Sequence, residues 1–371
     1  MSWAALNKEM KLKESLAAFL FVSAAKASVG DSLPEFQDCF ADCRNTLCVS
    51  PSSASSKYQQ DSISPLAVRL FSWDCDSDCD YKCQQIVSRE RKQAGLPMVQ
   101  FHGKWPFKRV FGITELFSTV FSLGNFLVNY RNYGKIKRHR KYVAYRDPEK
   151  ATMLSQFLFL LLMAMIGWTF STIFHIRDFP TTEKLDYIGA GAIVVAHFNA
   201  IVVRKFELFR ADKTVARRLF QTALLIFFVL HYAKLYHDWD YAYNMSIHIV
   251  FGILSSTLWI LHSFAVRRQY LRRPHFYNNS IQLLPYETKI LTKLNYLGIS
   301  KTKNIPLIPV ALNLFLISAI SFEVLDFEPI ASLVDGHALW HLCTIFPPIV
   351  WYDWNIWELE MSSLQKQGWK K

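Results

Sequence analysis

Two pairs of polar residues in this sequence stand at the spacing of one helical turn. Ser171 and His175 are four residues apart, and so are His337 and His341. Residues at this spacing lie on one face of an α-helix, about 6 Å apart along the axis. A histidine pair can then chelate one metal ion, and three imidazoles that leave a fourth position open form a ligand set of catalytic zinc. We therefore predict that His175, His337 and His341 bind zinc.

Acidic residues near these pairs offer carboxylates for the same site. Asp186 follows a short polar turn at 181–184 and supplies a group for proton transfer. Asp178, Asp326 and Asp335 either orient the histidine rings by hydrogen bonds or are solvated loop charges, and both interpretations stay open. Four other histidines stand singly in apolar segments, where packing between helices is the favoured interpretation: His197, His231, His248 and His262.

The elements that carry these residues are long apolar segments. Of the 371 residues, 51% are hydrophobic and 15% are aromatic, which is more apolar mass than an average soluble domain holds. A helix of about 20 apolar residues spans a bilayer. Seven segments approach that length, and Glu115 is their one Asp, Glu, Lys or Arg. We predict an all-α membrane protein with seven transmembrane helices, at 110–130, 152–175, 187–203, 219–233, 241–266, 304–322 and 336–352.

The net charge of +12 comes from Lys and Arg concentrated in alternate loops between the apolar segments. This distribution does not indicate nucleic-acid binding. Loops 131–150, 204–218 and 267–303 carry eight, six and eight Lys or Arg, whereas 236–244 and 323–335 carry acidic residues and no Lys or Arg. Because basic loops stay in the cytosol, the C-terminus is predicted to be cytosolic and the N-terminal region luminal. The same alternation places Ser171, His175, Asp186, His337 and His341 together at the luminal ends of their helices.

The N-terminal region has the pattern of a secreted segment. Three lysines precede the apolar run 16–25 and a small-residue site at 25–27, which predicts a signal peptide over 1–27, with an uncleaved anchor as the alternative. Residues 28–109 then form a small luminal domain, followed by a seven-helix domain over 110–355 and a cytosolic tail over 356–371. Six of the seven cysteines fall in the luminal domain and predict three disulfides of open connectivity, or else a zinc knot: Cys39, Cys43, Cys48, Cys75, Cys79 and Cys83.

Several long motifs, in order along the chain, resemble one family. They are QFHGKWPF at 100–107, FSTIFHIRD at 170–178, TEKLDY at 182–187, WDYAYN at 239–244, LDFEP at 325–329 and DGHALWH at 335–341. They resemble the fungal and animal phospholipases that remodel the lipid of GPI anchors after attachment to proteins, whose fungal members are of Per type. That family belongs to the CREST superfamily of seven-helix membrane hydrolases, with the alkaline ceramidases and adiponectin-receptor-like proteins.

The resemblance implies a zinc-dependent hydrolase acting on GPI-anchored proteins and membrane lipid. It would cleave the sn-2 acyl ester of the anchor in the endoplasmic reticulum membrane, with the Golgi possible, and leave lyso-GPI and a fatty acid. Asp186 would be the general base and Ser171 would hydrogen-bond the oxyanion or the reacting water, with a covalent nucleophile as the less favoured role. Two departures affect substrate fit more than chemistry, because Ala is expected at Gly336 and Pro at Glu328.

Three other functions remain compatible with the sequence. A ceramidase-like amidase would use the same five residues on an amide. A receptor with a vestigial zinc site, or a non-catalytic escort of GPI-anchored proteins, would not depend on turnover. The luminal cysteine-rich domain favours the GPI esterase, and substrate tests are needed to separate these functions.

Overall fold

The computed structural model describes residues 28–49, 58, 63–272, 286–295 and 301–368. The signal peptide predicted over 1–27 lies outside these residues. Within them the chain is helical, and β-type pairing is confined to two isolated bridges, between Phe101 and Lys104 and between Val110 and Ile113. The all-α prediction is therefore confirmed for the described part of the chain.

Eleven α-helices occur among the described residues. They are α1 (Pro34–Cys43), α2 (Pro65–Leu70), α3 (Cys75–Gln93), α4 (Leu116–Val143), α5 (Pro148–Ile176), α6 (Pro180–Lys205), α7 (Thr214–His237), α8 (Tyr241–Leu271), α9 (Glu287–Asn295), α10 (Ile308–Leu325) and α11 (Gly336–Gly368). Short 3-10 turns precede α7 and α10, at Ala211–Lys213 and Thr302–Leu307.

Five of the described helical segments are long and apolar enough to cross a membrane, so this is a multi-pass membrane protein. They are Pro148–Ile176, Pro180–Lys205, Ala211–His237, Tyr241–Leu271 and Thr302–Leu325. Each coincides with one of the seven predicted spans and is longer at one or both ends. The other two predicted spans correspond to α4 and α11, which are long but more polar. The count of seven and the luminal orientation stay predictions.

Helix α4 is polar because it carries a stripe of buried hydrogen-bonding side chains. Asn125 donates from its amide nitrogen to the carbonyl oxygen of His341 at 2.8 Å, and Asn132 donates to that of Pro348 at 2.8 Å. These bonds attach α4 to the backbone of α11. The helix begins at Leu116, after a turn that pairs Val110 with Ile113, and so starts six residues later than the predicted span.

The chain divides into two compact units, and the first contains the cysteine-rich region with His231–Val250 and Glu328–Leu333. Three nested disulfides join α1 and the turn after it to α3: Cys39–Cys83, Cys43–Cys79 and Cys48–Cys75. In α3 the three cysteines recur every four residues and share one face, which matches the nesting. The prediction of three disulfides is confirmed, and the zinc knot is wrong because all six thiols are consumed.

The second unit holds the remaining helical residues, including all of α11. Helix α11 runs on to Gly368, so the predicted boundary between membrane domain and tail at 355 falls inside a continuous helix. Its acidic residues pair with basic groups of other helices: Asp353 with Lys135, Glu358 with Arg204, and Glu360 with His139 and Lys150. Hydrogen bonds from His139 and Lys150 hold the pKa of the Glu360 carboxyl below its usual range.

Candidate metal centre

Three histidines from two helices meet in the second unit. His175 lies in the last turn of α5, and His337 and His341 lie in the first turns of α11. Their ring centroids are 5.2 Å apart for His175 and His337, 5.0 Å for His175 and His341, and 4.4 Å for His337 and His341. One nitrogen from each ring lies within 4.8 Å of the other two, so the group can hold a metal ion.

The donor set fits zinc in its chemistry. Three imidazoles are the ligands of one class of catalytic zinc site, in which a fourth position is left to water or substrate. His175 and His341 are buried and His337 is half-buried, so the group is open on one side. Zinc, if bound, would be held by His175, His337 and His341.

A close contact between two glycines fixes helix α5 beside α6. A Cβ atom at Gly167 would lie 2.9 Å from the carbonyl oxygen of Gly189, and a Cβ at Gly189 would lie 2.8 Å from the Cα of Gly167. Side chains larger than hydrogen would push these backbones apart. The contact is two turns below His175, so it sets where the end of α5 lies relative to the start of α6.

The start of α11 is positioned in a similar way against the end of α10. A Cβ at Gly336 would clash with the backbone carbonyl oxygen of Phe322, so glycine is required for this approach. Asp335 caps α11, since its carboxylate accepts a hydrogen bond from the Ala338 backbone N–H at 2.8 Å. The departure noted at Gly336 thus coincides with a close backbone contact, and Asp335 has a structural contact beside His337.

Two residues that the sequence reasoning missed hold the histidine rings. The carboxylate of Glu323, at the end of α10, accepts a hydrogen bond from His337 Nδ1 at 2.8 Å. The hydroxyl of Ser122, on α4, lies 2.9 Å from His341 Nδ1. Each of these bonds uses Nδ1, which makes Nε2 the candidate ligand atom of both rings. Metal-binding histidines commonly have such a partner on the second nitrogen, and it fixes the tautomer and the ring orientation.

Ser171 and Asp186, the predicted catalytic residues, lie on the two helices joined by the glycine contact. Ser171 is buried one turn before His175, and its Oγ lies 3.2 Å from Ser122 Oγ. Asp186 is half-buried in the second turn of α6, which begins at Pro180. Their roles in catalysis stay predictions.

Asp326 and Asp178, two other predicted ring partners, lie just after the ends of α10 and α5. Asp326 ends α10 in the left-handed conformation, with a φ of 35°, and is exposed. Asp178 is half-buried in the turn between α5 and α6. For His337 the carboxylate partner is Glu323, which stands three residues before Asp326 in the same acidic segment.

The four single histidines contact aromatic and polar side chains of their own units. His231 bonds the Asn244 side chain at 3.0 Å, and His248 lies 3.3 Å from the hydroxyl of Tyr232. His197 and His262 contact the tryptophans of α11, with ring-centroid distances of 6.3 Å to Trp351 and 6.2 Å to Trp354 respectively. These contacts agree with the interpretation of helix packing.

Comparison with known proteins decides the family. The model of the Per1-like family matches residues 65–359, which include all three histidines of the site. The chain belongs to the Per1-like family. It is 36% identical to protein PER1 of Saccharomyces cerevisiae over 88% of this chain and 91% of that protein. It is 33% identical to the PER1 homolog of Schizosaccharomyces pombe, over 88% of this chain and 85% of that protein.

An animal member of similar length is also related to this Per1-like chain. The protein of Cricetulus griseus named GPI-specific phospholipase A2-like PGAP3 is 32% identical, over 87% of each chain. No solved structure matches this chain. The resemblance inferred from the motifs is therefore confirmed at the level of the family.

Proposed function

We propose that this Per1-like protein is a zinc-dependent hydrolase that removes the sn-2 acyl chain from protein-linked GPI. The observation that carries the proposal is the group of three histidines, with ligand atoms within 4.8 Å of one another at adjoining helix ends. The substrate class comes from relatives such as the Cricetulus griseus protein, whose name specifies a GPI-specific phospholipase A2-like activity. In the reaction, water adds across the ester and yields lyso-GPI and a free fatty acid.

Each residue of the site has a defined task in this proposal. His175, His337 and His341 would hold zinc, which would supply Lewis acidity and lower the pKa of water to about 7. Asp186 accepts the proton of the attacking water and delivers it to the departing alkoxide. Ser171 donates a hydrogen bond to the oxygen that becomes negatively charged at the ester carbon. Glu323 and Ser122 keep the rings of His337 and His341 in place.

The position of the site suits a lipid ester. His175 and His337 lie in terminal turns of helices, and α5, α6 and α10 are apolar enough to cross a membrane. An acyl ester lies near the boundary between hydrocarbon and headgroups, at the depth of such helix ends. We place the site at the luminal face of the endoplasmic reticulum membrane, with seven spans, the N-terminus in the lumen and the C-terminus in the cytosol.

The test is a purified-protein assay with a GPI-linked peptide in nanodiscs, with mass spectrometry of both products. Wild type should release the sn-2 fatty acid, and His337→Ala should lose both bound zinc and turnover because two ligands hold the metal weakly. His197→Gln is the matched control, since this histidine packs between helices, and it should retain both properties.

The possible outcomes separate the alternatives. Turnover that survives His337→Ala contradicts catalysis at this site and favours the escort. Release of fatty acid from ceramide in place of GPI favours the amidase. Bound zinc without turnover of either lipid favours the receptor with a vestigial site.

A further inference from the structure

Ser122 connects a candidate metal ligand to a candidate catalytic hydroxyl. Its side chain is fully buried on α4, and its Oγ lies 2.9 Å from His341 Nδ1 and 3.2 Å from Ser171 Oγ. The three groups come from three different helices, α4, α5 and α11. They form a hydrogen-bonded series in which Ser122 is the central member.

The chemistry of the end member fixes where the protons lie. A neutral imidazole has one N–H, and the nitrogen that gives its lone pair to a metal cannot carry the proton. Because Nδ1 of His341 faces Ser122, Nε2 is the ligand atom and Nδ1 carries the hydrogen. His341 therefore donates to Ser122 Oγ. A hydroxyl has a single proton, so the proton of Ser122 is free to be donated to Ser171 Oγ.

We propose that Ser122 is a positioning residue that fixes Ser171 as a hydrogen-bond donor to the reacting oxygen. This inference rests on the proposed function and deepens it. Ser171 accepts one hydrogen bond from Ser122, so its own proton must point elsewhere, and it is available to the oxygen that gains negative charge during ester cleavage. Without Ser122, the Ser171 hydroxyl would rotate among several orientations.

The same series offers Ser171 no base that would activate it as a covalent nucleophile. A nucleophilic serine needs a base that removes its proton. The nearest imidazole in the series is reached through Ser122, and its Nδ1 already carries hydrogen when His341 binds metal. Ser171 would have no proton acceptor along this path, whereas its role as a donor requires none.

The experiment uses the full-length protein in detergent and four variants. They are Ser122→Ala, Ser171→Ala, the double variant, and Ser118→Ala as a matched control. Ser118 lies one turn earlier on α4, is equally buried, and its hydroxyl has no hydrogen-bond partner among the described residues. Zinc affinity is measured by competition with a chelator, and kcat and KM are measured at saturating zinc with the GPI-linked peptide.

Two patterns are expected together. Zinc affinity should fall about 10-fold in Ser122→Ala, because His341 loses the partner of its second nitrogen, and should be unchanged in Ser171→Ala and Ser118→Ala. At saturating zinc, kcat of Ser122→Ala should fall by roughly 10-fold with KM unchanged. The double variant should be no slower than Ser171→Ala, since Ser122 acts through Ser171.

Three results would overturn the inference. They are a wild-type kcat for Ser122→Ala at saturating zinc, a kcat loss that is multiplied in the double variant, and an equal effect of Ser118→Ala. If wild type turns over no GPI substrate, the proposed function fails, and the zinc affinities still report whether Ser122 holds His341. The two failures are thereby distinguished.

Discussion

Removal of the Glu323 carboxylate should weaken metal binding without removing a ligand. Glu323 Oε2 accepts from His337 Nδ1 at 2.8 Å, and this bond leaves Nε2 as the candidate ligand atom. Such partners of ligand histidines contribute about 10- to 100-fold to metal affinity. The two side chains are 36% and 35% exposed, so solvent screens the interaction and the lower value applies. We expect Glu323→Ala to reduce zinc affinity about 10-fold, or about 1.4 kcal/mol.

The assay is a titration of zinc-depleted protein against a fluorescent chelator, with metal content checked by mass spectrometry. Glu323→Gln should lose less affinity than Glu323→Ala, because the amide oxygen can still accept from His337. Glu328→Ala is the control, since it removes an exposed carboxylate five residues further along the chain. If Glu323→Ala weakens zinc binding no more than Glu328→Ala does, the orienting role of Glu323 is refuted.

Two further predictions concern the cysteine-rich region and the start of α11. A peptide map without reductant should contain the links Cys39–Cys83, Cys43–Cys79 and Cys48–Cys75. Cys343 should react with an alkylating reagent in the unfolded protein. Any other pairing contradicts the nested arrangement. Gly336→Ala should lower the free energy of unfolding by about 1–3 kcal/mol, because the new methyl group clashes with the Phe322 carbonyl oxygen. A rise in the melting temperature, as Gly→Ala gives in an unconstrained helix, would show that this contact is loose.

The apolar segments could be predicted from the sequence because a bilayer imposes one simple requirement on length and composition. Helices α4 and α11 meet this requirement less well. Asn125 and Asn132 of α4 donate hydrogen bonds to the backbone of α11 in place of apolar contacts. The sequence does not show which residues such side chains bond, because their partners lie more than 200 residues away in the chain. The cysteines are limited in the same way. Their number predicts three disulfides, but their pairing depends on the antiparallel course of α1 and α3, which the sequence does not show.

The candidate metal ligands could be found in the sequence, whereas the residues that hydrogen-bond them could not. His337 and His341 are related by the period of one helix, which is a local property of the chain. Glu323 and Ser122 are related to them by contacts between helices, which have no period. A buried serine in an apolar segment is common, so Ser122 had no signal of its own. Glu323 had one, as an acidic residue at the end of a span, but Asp326 and Asp335 in the same segment had it equally.

The distances between the groups of the site depend on glycines that have no functional side chain. Glu323 reaches His337 only because α10 and α11 approach until a Cβ at Gly336 would overlap the backbone of Phe322, the residue next to Glu323. Ser171 and His175 are similarly placed beside α6 by the contact between Gly167 and Gly189. A chain with the same histidines but larger residues at Gly167 and Gly189 would keep the motif and move α5 away from α6. The i and i+4 pattern therefore places His337 and His341 on one helix face, and the close backbone contacts bring that face to the groups on neighbouring helices.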